Sequence, residues 1–112
     1  MESETLKQEL LNLQANFCSA LTDTSRLLIL YSLKQRPMNV GELSEDLSIS
    51  QSNVSKHLKI LKEKGLVTFE KSGTTVTYSL SDDRVVEAMD LLRSIMADHV
   101  KKHSEILVHT IL

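Results

Sequence analysis

The sequence predicts a mainly α-helical chain with one small β-hairpin, in the order α-α-α-α-β-β-α. Three observations point there: apolar residues recur at helical spacing through most of the chain, two short alternating runs flank Ser72-Gly73-Thr74, and a long helical stripe resumes after them.

The first segment, Ser3 to about Ala20, carries Leu6, Leu10, Leu13 and Phe17 at steps of four, three and four, one face of a helix. Thr22 or Asp23 can cap the second segment, which runs to Lys34 with Leu27, Leu28, Leu30 and Tyr31. It is apolar on more than one side, as a central helix would be. Pro37 then interrupts helical structure. Asn39 with Glu42 three residues later matches a capping box for a third helix, Val40–Leu47. After the polar break Ser48-Ile49-Ser50, Ser50 can cap a fourth helix from Gln51 to Lys64. Its stripe is Val54, Leu58 and Leu61, and Gly65 stands where a C-terminal glycine is expected.

Leu66–Lys71 and Thr75–Leu80 alternate apolar and polar residues and read as hairpin strands. Ser81-Asp82-Asp83 opens the last helix, its acids at the positive end of the helix dipole. That helix's stripe is Val85, Met89, Leu92 and Met96, then His99 or Val100, His103 and Leu107.

At 112 residues the chain has room for one domain. Its composition, 41% apolar and 25% charged, is that of a globular protein. No apolar run reaches membrane-spanning length, and the Met-Glu-Ser-Glu start lacks the apolar core of a secretory signal. The lone Cys18 cannot form an internal disulfide, so a cytoplasmic protein is expected. Cys18 lies beside Phe17 in an apolar stripe and reads as a small hydrophobe. The formal net charge is −2, yet Ser50–Thr75 holds Lys56, Lys59, Lys62, Lys64 and Lys71 against only Glu63 and Glu70. A local basic patch, not net charge, is what nucleic-acid binding needs.

Two short helices joined by a tight turn and followed by a hairpin form the winged helix-turn-helix pattern. Val40, Leu43, Leu47, Ile49, Val54, Leu58 and Leu61 can pack together and set the interhelical angle. The opposite side of the fourth helix then presents Gln51, Ser52, Ser55, Lys56 and Lys59. Gln51 can pair with adenine, serine hydroxyls can bond bases or phosphates, and Lys56 and Lys59 suit phosphates. The candidate duplex contacts are Ser50, Gln51, Ser52, Asn53, Ser55, Lys56 and Lys59 on the helix, with Lys71 and Thr74 on the wing. A bland alternative is a helical hairpin packed for its own sake, its serines and lysines merely solvated.

Ala20-Leu21-Thr22-Asp23-Thr24-Ser25-Arg26-Leu27-Leu28-Ile29-Leu30 resembles the second-helix signature of the ArsR/SmtB family of repressors. Ser50-Gln51-Ser52-Asn53-Val54-Ser55-Lys56-His57-Leu58-Lys59-Ile60-Leu61 resembles its recognition helix, and Lys64-Gly65-Leu66-Val67 the entry to its wing. The resemblance covers residues 17–80 closely and implies a dimeric repressor on an imperfect inverted repeat, with the terminal helices as dimer interface. The residues agree independently: two terminal apolar stripes exceed what a small winged core can bury. The candidate interface is Leu6, Leu10, Leu13, Phe17, Val85, Met89, Leu92 and Met96. The expected organisation is one domain over 1–112, with dimerisation helices at 1–20 and 82–112, the helix-turn-helix at 40–64 and the wing at 66–80.

Metal sites of the family match poorly. Asn39 and Gly41 stand where one pattern has its paired cysteines in helix three. At the helix-five site Asp83 and His99 match, but Val85 and Met96 hold the other two ligand positions. A different site could use His99 and His103, four apart on one face, with Asp98, Glu105 and His109 near in sequence; two solvated histidines are the plainer account. His57, inside the recognition helix, reads as a histidine bonded between helices or to backbone. The wing tip Ser72-Gly73-Thr74-Thr75 lacks the arginine that relatives often place there, which points to phosphate contacts.

No nucleophile–base pair, phosphate loop or complete ligand set marks an enzyme, and no cofactor is implied. The expected partners are double-stranded DNA and a second copy of the chain, with no membrane; any metal or small-molecule effector is left open. Two rival functions remain: a winged helix used for protein interaction, and a metal-responsive repressor with a non-standard helix-five site.

Overall fold

The computed structural model describes the backbone of residues 2–111 and the side chains of residues 3–105. Leu107 and His109 of the last-helix pattern therefore lie outside the described side chains. The chain divides into two compact units, Met1–Asp82 and Asp83–Leu112.

In the first unit, α1 (Glu2–Leu13) continues into a π-helical stretch, Gln14–Cys18. The sequence pattern reads this whole run as one helix, because wide i→i+5 turns have no residue signature of their own. Asp23 is the N-cap of α2 (Thr24–Gln35): its carboxylate accepts from the Arg26 N–H at 3.2 Å. α2 buries Ile29, Leu30 and Leu33, while Leu28 stays exposed. Ser32, also buried, donates its hydroxyl to Asp46 at 2.9 Å and so ties α2 to the helix that follows.

α3 (Val40–Leu47) opens with the capping box that Asn39 and Glu42 predict. Asn39 Oδ1 accepts from the Glu42 N–H at 2.8 Å, and Glu42 Oε1 accepts from the Asn39 N–H at 3.1 Å. α4 (Gln51–Glu63) follows a three-residue break and ends at Lys64, with Gly65 at φ +78 behind it.

The sheet has three strands, one more than the expected hairpin. β1 (Met38–Asn39) joins β2 (Val67–Ser72) and β3 (Thr75–Leu80) in the order β1-β3-β2, all antiparallel. Met38 pairs with Tyr78 and Asn39 with Thr77. A two-residue strand is too short for alternation to show, and its extended backbone owes its pairing to β3. Ser72 pairs with Thr75, so the hairpin loop shrinks to Gly73-Thr74. Gly73 takes φ +62 at the first loop position, which fits a type II′ connection.

The core of this unit gathers Ile29, Leu30, Leu43, Val54, Leu58, Leu61 and Leu66, all at 0% exposure. Burying side chains of this size stabilises by about 1.5–3 kcal/mol each. The outcome is a frame in which α3 and α4 share one apolar seam, fixing how α4 presents its other side.

The second unit is α5 (Arg84–Ile111), 28 residues. Val86 and Met89 are buried on it, whereas Leu91, Leu92, Ile95, Met96 and Val100 are exposed. Among the described residues, no helix is long and apolar enough to cross a membrane.

Candidate nucleic-acid interface

The turn between α3 and α4 is built to be tight. Ser48 takes the left-handed conformation (φ 54, ψ 43) and closes α3, the one non-glycine residue with positive φ among those described. Short polar residues tolerate this geometry best when a neighbour bonds the chain. Here the Ser44 hydroxyl donates to the Ile49 carbonyl, and the Ile49 N–H donates to the Ser44 carbonyl at 3.2 Å. Ser50 then caps α4 by accepting from the Asn53 N–H at 3.3 Å. Its hydroxyl also lies 3.4 Å from that of Ser52.

α4 has two opposite characters. Val54, Leu58 and Leu61 are wholly buried. Gln51, Ser52, Asn53, Ser55, Lys56 and Lys59 are all exposed, as is Ser50 ahead of them. The helix-start N–H groups and the lysines together favour an anionic partner on this side. Gln51 reaches back toward α3: a side chain on Gly41 would come within 3.9 Å of Gln51 Nε2.

Lys71 and Thr74 are exposed on the wing. Further back, Lys62 of α4 stands over the Phe69 ring of β2, 4.2 Å from its centroid, and Phe69 is tilted against Tyr78 of β3 at 6.2 Å. This cation–π contact braces the wing against α4. In the sequence Lys62 counted only toward the local basic patch, because its partner belongs to another element.

His57 and the α2 cap meet at the inner edge of α4. Arg26 donates through Nε to the Ala20 carbonyl at 2.7 Å, and its Nη1 lies 3.5 Å from His57 Nδ1. His57 Nε2 lies 3.8 Å from Asp23 Oδ1. The Asp23 carboxyl is held below the usual value of 3.8, first by the Arg26 N–H that it caps. The sequence reads His57 as bonded between helices or to backbone but does not reveal its partners, since Asp23 and Arg26 lie far from it along the chain.

The residues assigned to a dimer interface divide by exposure. Leu6, Leu10, Leu13 and Phe17 are exposed along the first helical run, as are Leu92 and Met96 on α5, the latter two above 60%. Val85 is half-buried, and Met89 is buried at 7% exposure. The exposed line on α5 instead includes Leu91, Ile95 and Val100. Asp83, His99 and His103 are exposed. No group of three or more His, Cys, Asp or Glu side chains is arranged to hold a metal ion among the described residues. Asn39 is occupied in capping α3.

A capped helix with a polar outer side, set by a partner helix and braced by a hairpin, defines a winged helix-turn-helix protein. The model of the bacterial regulatory protein arsR family matches residues 23–68, which span α2, β1, α3, α4 and the start of β2. The nodulation protein NolR of Rhizobium meliloti is 38% identical over 92 residues, covering 82% of this chain and 75% of that protein. The transcriptional repressor SmtB homolog of Synechocystis sp. is 34% identical over 102 residues, covering 91% and 74%. Among solved structures, the homodimeric winged helix-turn-helix DNA-binding domain (fragment 1-100) of Mb0332 from Mycobacterium bovis, a possible ArsR-family transcriptional regulator, aligns with a TM-score of 0.74 and 27% identity. It covers 86% of this chain and 89% of that one. This chain belongs to the arsR family of bacterial regulatory proteins.

Proposed function

We propose that this chain is a sequence-specific DNA-binding transcriptional regulator, a repressor that binds an inverted-repeat operator as a homodimer in the cytoplasm. The observation that carries the reading is the division of α4: Val54, Leu58 and Leu61 fully buried, Gln51, Ser52, Asn53, Ser55, Lys56 and Lys59 exposed. Gln51, Ser52, Asn53 and Ser55 are assigned to base edges and nearby phosphates, Lys56 and Lys59 to phosphates, and Lys71 and Thr74 to the backbone beside the wing. Ser50 accepts from the Asn53 N–H as the cap, and its O–H is assigned to donate to a nearby phosphate.

The chain is read as one functional domain, with 40–64 as the reading unit, 66–80 as the wing, and 1–20 with 82–112 as dimerisation helices. Exposed leucines, isoleucine and methionine at helical spacing on α1 and α5 support that division. In a twofold dimer the two reading helices would stand about 34 Å apart, one duplex turn. The homodimeric relative from Mycobacterium bovis supports the same assembly.

The test is a salt titration of binding to duplex DNA from the region upstream of the gene. Tight binding that weakens steeply between about 50 and 200 mM salt is expected, because each neutralised phosphate releases counterions. Absence of binding even at low salt would favour a winged helix that docks on protein.

A further inference from the structure

We infer that Asp23, Arg26 and His57 form a clasp that sets the pitch of α4 for sequence-specific reading, with His57 as a positioning residue that does not itself touch DNA. The inference rests on the DNA-binding reading above and adds how the reading helix is held.

The geometry is directional. A guanidinium can only donate, so His57 Nδ1, 3.5 Å from Arg26 Nη1, must be the acceptor. The ring's single N–H is then on Nε2, which faces the Asp23 carboxylate at 3.8 Å. In this tautomer Nδ1 accepts from Arg26 and the N–H turns toward the Asp23 carboxylate, at 3.8 Å an electrostatic contact longer than a hydrogen bond. Arg26 is itself anchored, through Nε on the Ala20 carbonyl, and Asp23 is anchored as the cap of α2. The clasp therefore joins a fixed point, the start of α2, to the middle of α4.

The placement matters because of where His57 sits. Its side chain is only 15% exposed, between the buried Val54–Leu58–Leu61 seam and the outward side of the helix. Apolar burial is non-directional, so the seam fixes which side of α4 faces outward without fixing its exact roll. A polar contact off the seam, with defined donors and acceptors, blocks that rotation. A small roll of α4 moves Gln51 and Ser52 relative to base edges, while flexible lysines keep their phosphate contacts. Loss of the clasp should therefore cost discrimination more than general affinity.

The experiment uses the full chain, a duplex selected by the wild-type protein from a random-sequence library, and a random duplex of the same length. His57→Leu fills the site without polar atoms, and Arg26→Lys keeps the charge but loses the planar fork. Both variants should keep a melting temperature within about 5 °C of wild type. Their affinity for the selected duplex should fall about tenfold, with affinity for the random duplex and the salt slope unchanged. Nitrogen-detected NMR of the wild-type ring should show an unprotonated Nδ1; the opposite tautomer would overturn the assignment. Discrimination equal to wild type in both variants would also overturn it. So would parallel losses on both duplexes that follow the loss of thermal stability, which is what a purely structural role gives. If the wild-type protein selects no sequence, the recognition-face assignment fails, and the clasp's role in reading fails with it.

Discussion

At the scale of single residues, the proposed DNA-binding reading gives each outward group on α4 a separable job. Gln51 offers a side-chain amide that can bond a base in two places, whereas Lys56 offers a charge that any phosphate satisfies. Gln51→Ala should therefore relax base preference at one position of a half-site, by about 1–3 kcal/mol of lost discrimination, and leave the salt slope alone. Lys56→Ala should weaken binding to all sequences alike and reduce the salt slope by about one. Competition assays over a panel of single-substituted duplexes check both; identical profiles for the two variants would contradict the division of roles. Glu42 gives a residue-scale test of stability. Its carboxyl is held below the ordinary value of 4.5, first by the Arg36 guanidinium at 2.8 Å and then by the Asn39 N–H. The fold thus favours the charged form. The resulting stabilisation is complete above pH 4.5 and disappears as acid carries the pH down through the lowered folded value. In urea unfolding, Glu42→Gln should be less stable than wild type at neutral pH, with the gap closing on acidification. A gap that stays constant with pH would show that the charge is not the cause.

At the scale of elements, the caps and the seam decide whether α4 forms and how it sits. Ser50→Ala removes the oxygen that accepts from Asn53 and should cost about 1 kcal/mol, fraying the first turn where Gln51 and Ser52 lie. Leu58→Ala opens the seam with α3 and should cost about 2–5 kcal/mol. Chemical denaturation measures both, and near-equal costs would mean that Leu58 is less enclosed than its 0% exposure implies. The same elements show what was legible in the sequence. Caps are local chemistry, so Asn39 with Glu42, Ser50 and Gly65 could be read directly, and the α2 cap as Thr22 or Asp23, of which Asp23 is the one used. Periodicity found the buried side of α4 because Val54, Leu58 and Leu61 fall at helical spacing, with Ile60 the one other apolar residue on the helix. It was less able to resolve α5, where apolar residues crowd both sides of the expected line. There the buried pair is Val86 and Met89, while Leu91 and Ile95 join the exposed row. What pattern could not reveal depends on partners distant in sequence: β1 on Tyr78 and Thr77, Lys62 on Phe69, and His57 on Asp23 and Arg26. The tether from Lys64 Nζ to the Ala15 carbonyl, 3.2 Å, is of the same kind and links the end of α4 to the π-helical stretch.

At the scale of the whole molecule, function requires two copies of the reading unit at a spacing set by duplex geometry. In the proposed dimer, that pairing is assigned to the exposed apolar residues on α1 and α5. Leu92, 63% exposed, is the cleaner probe of association; Met89 is buried, so a charge there would test folding instead. Leu92→Asp should yield a folded monomer in sedimentation, with circular dichroism unchanged and operator binding weakened far more than a single base change would weaken it. A variant that remains a tight dimer would place the interface elsewhere. The central claim, that the polar side of α4 enters the duplex, is most directly tested by NMR of the amide-labelled protein on addition of its selected duplex. Shifts and exchange protection concentrated at Ser50–Lys59, with lesser changes at Lys71 and Thr74, are the predicted result. Perturbations confined to α1 and α5, with Gln51 to Lys59 unmoved, would contradict it.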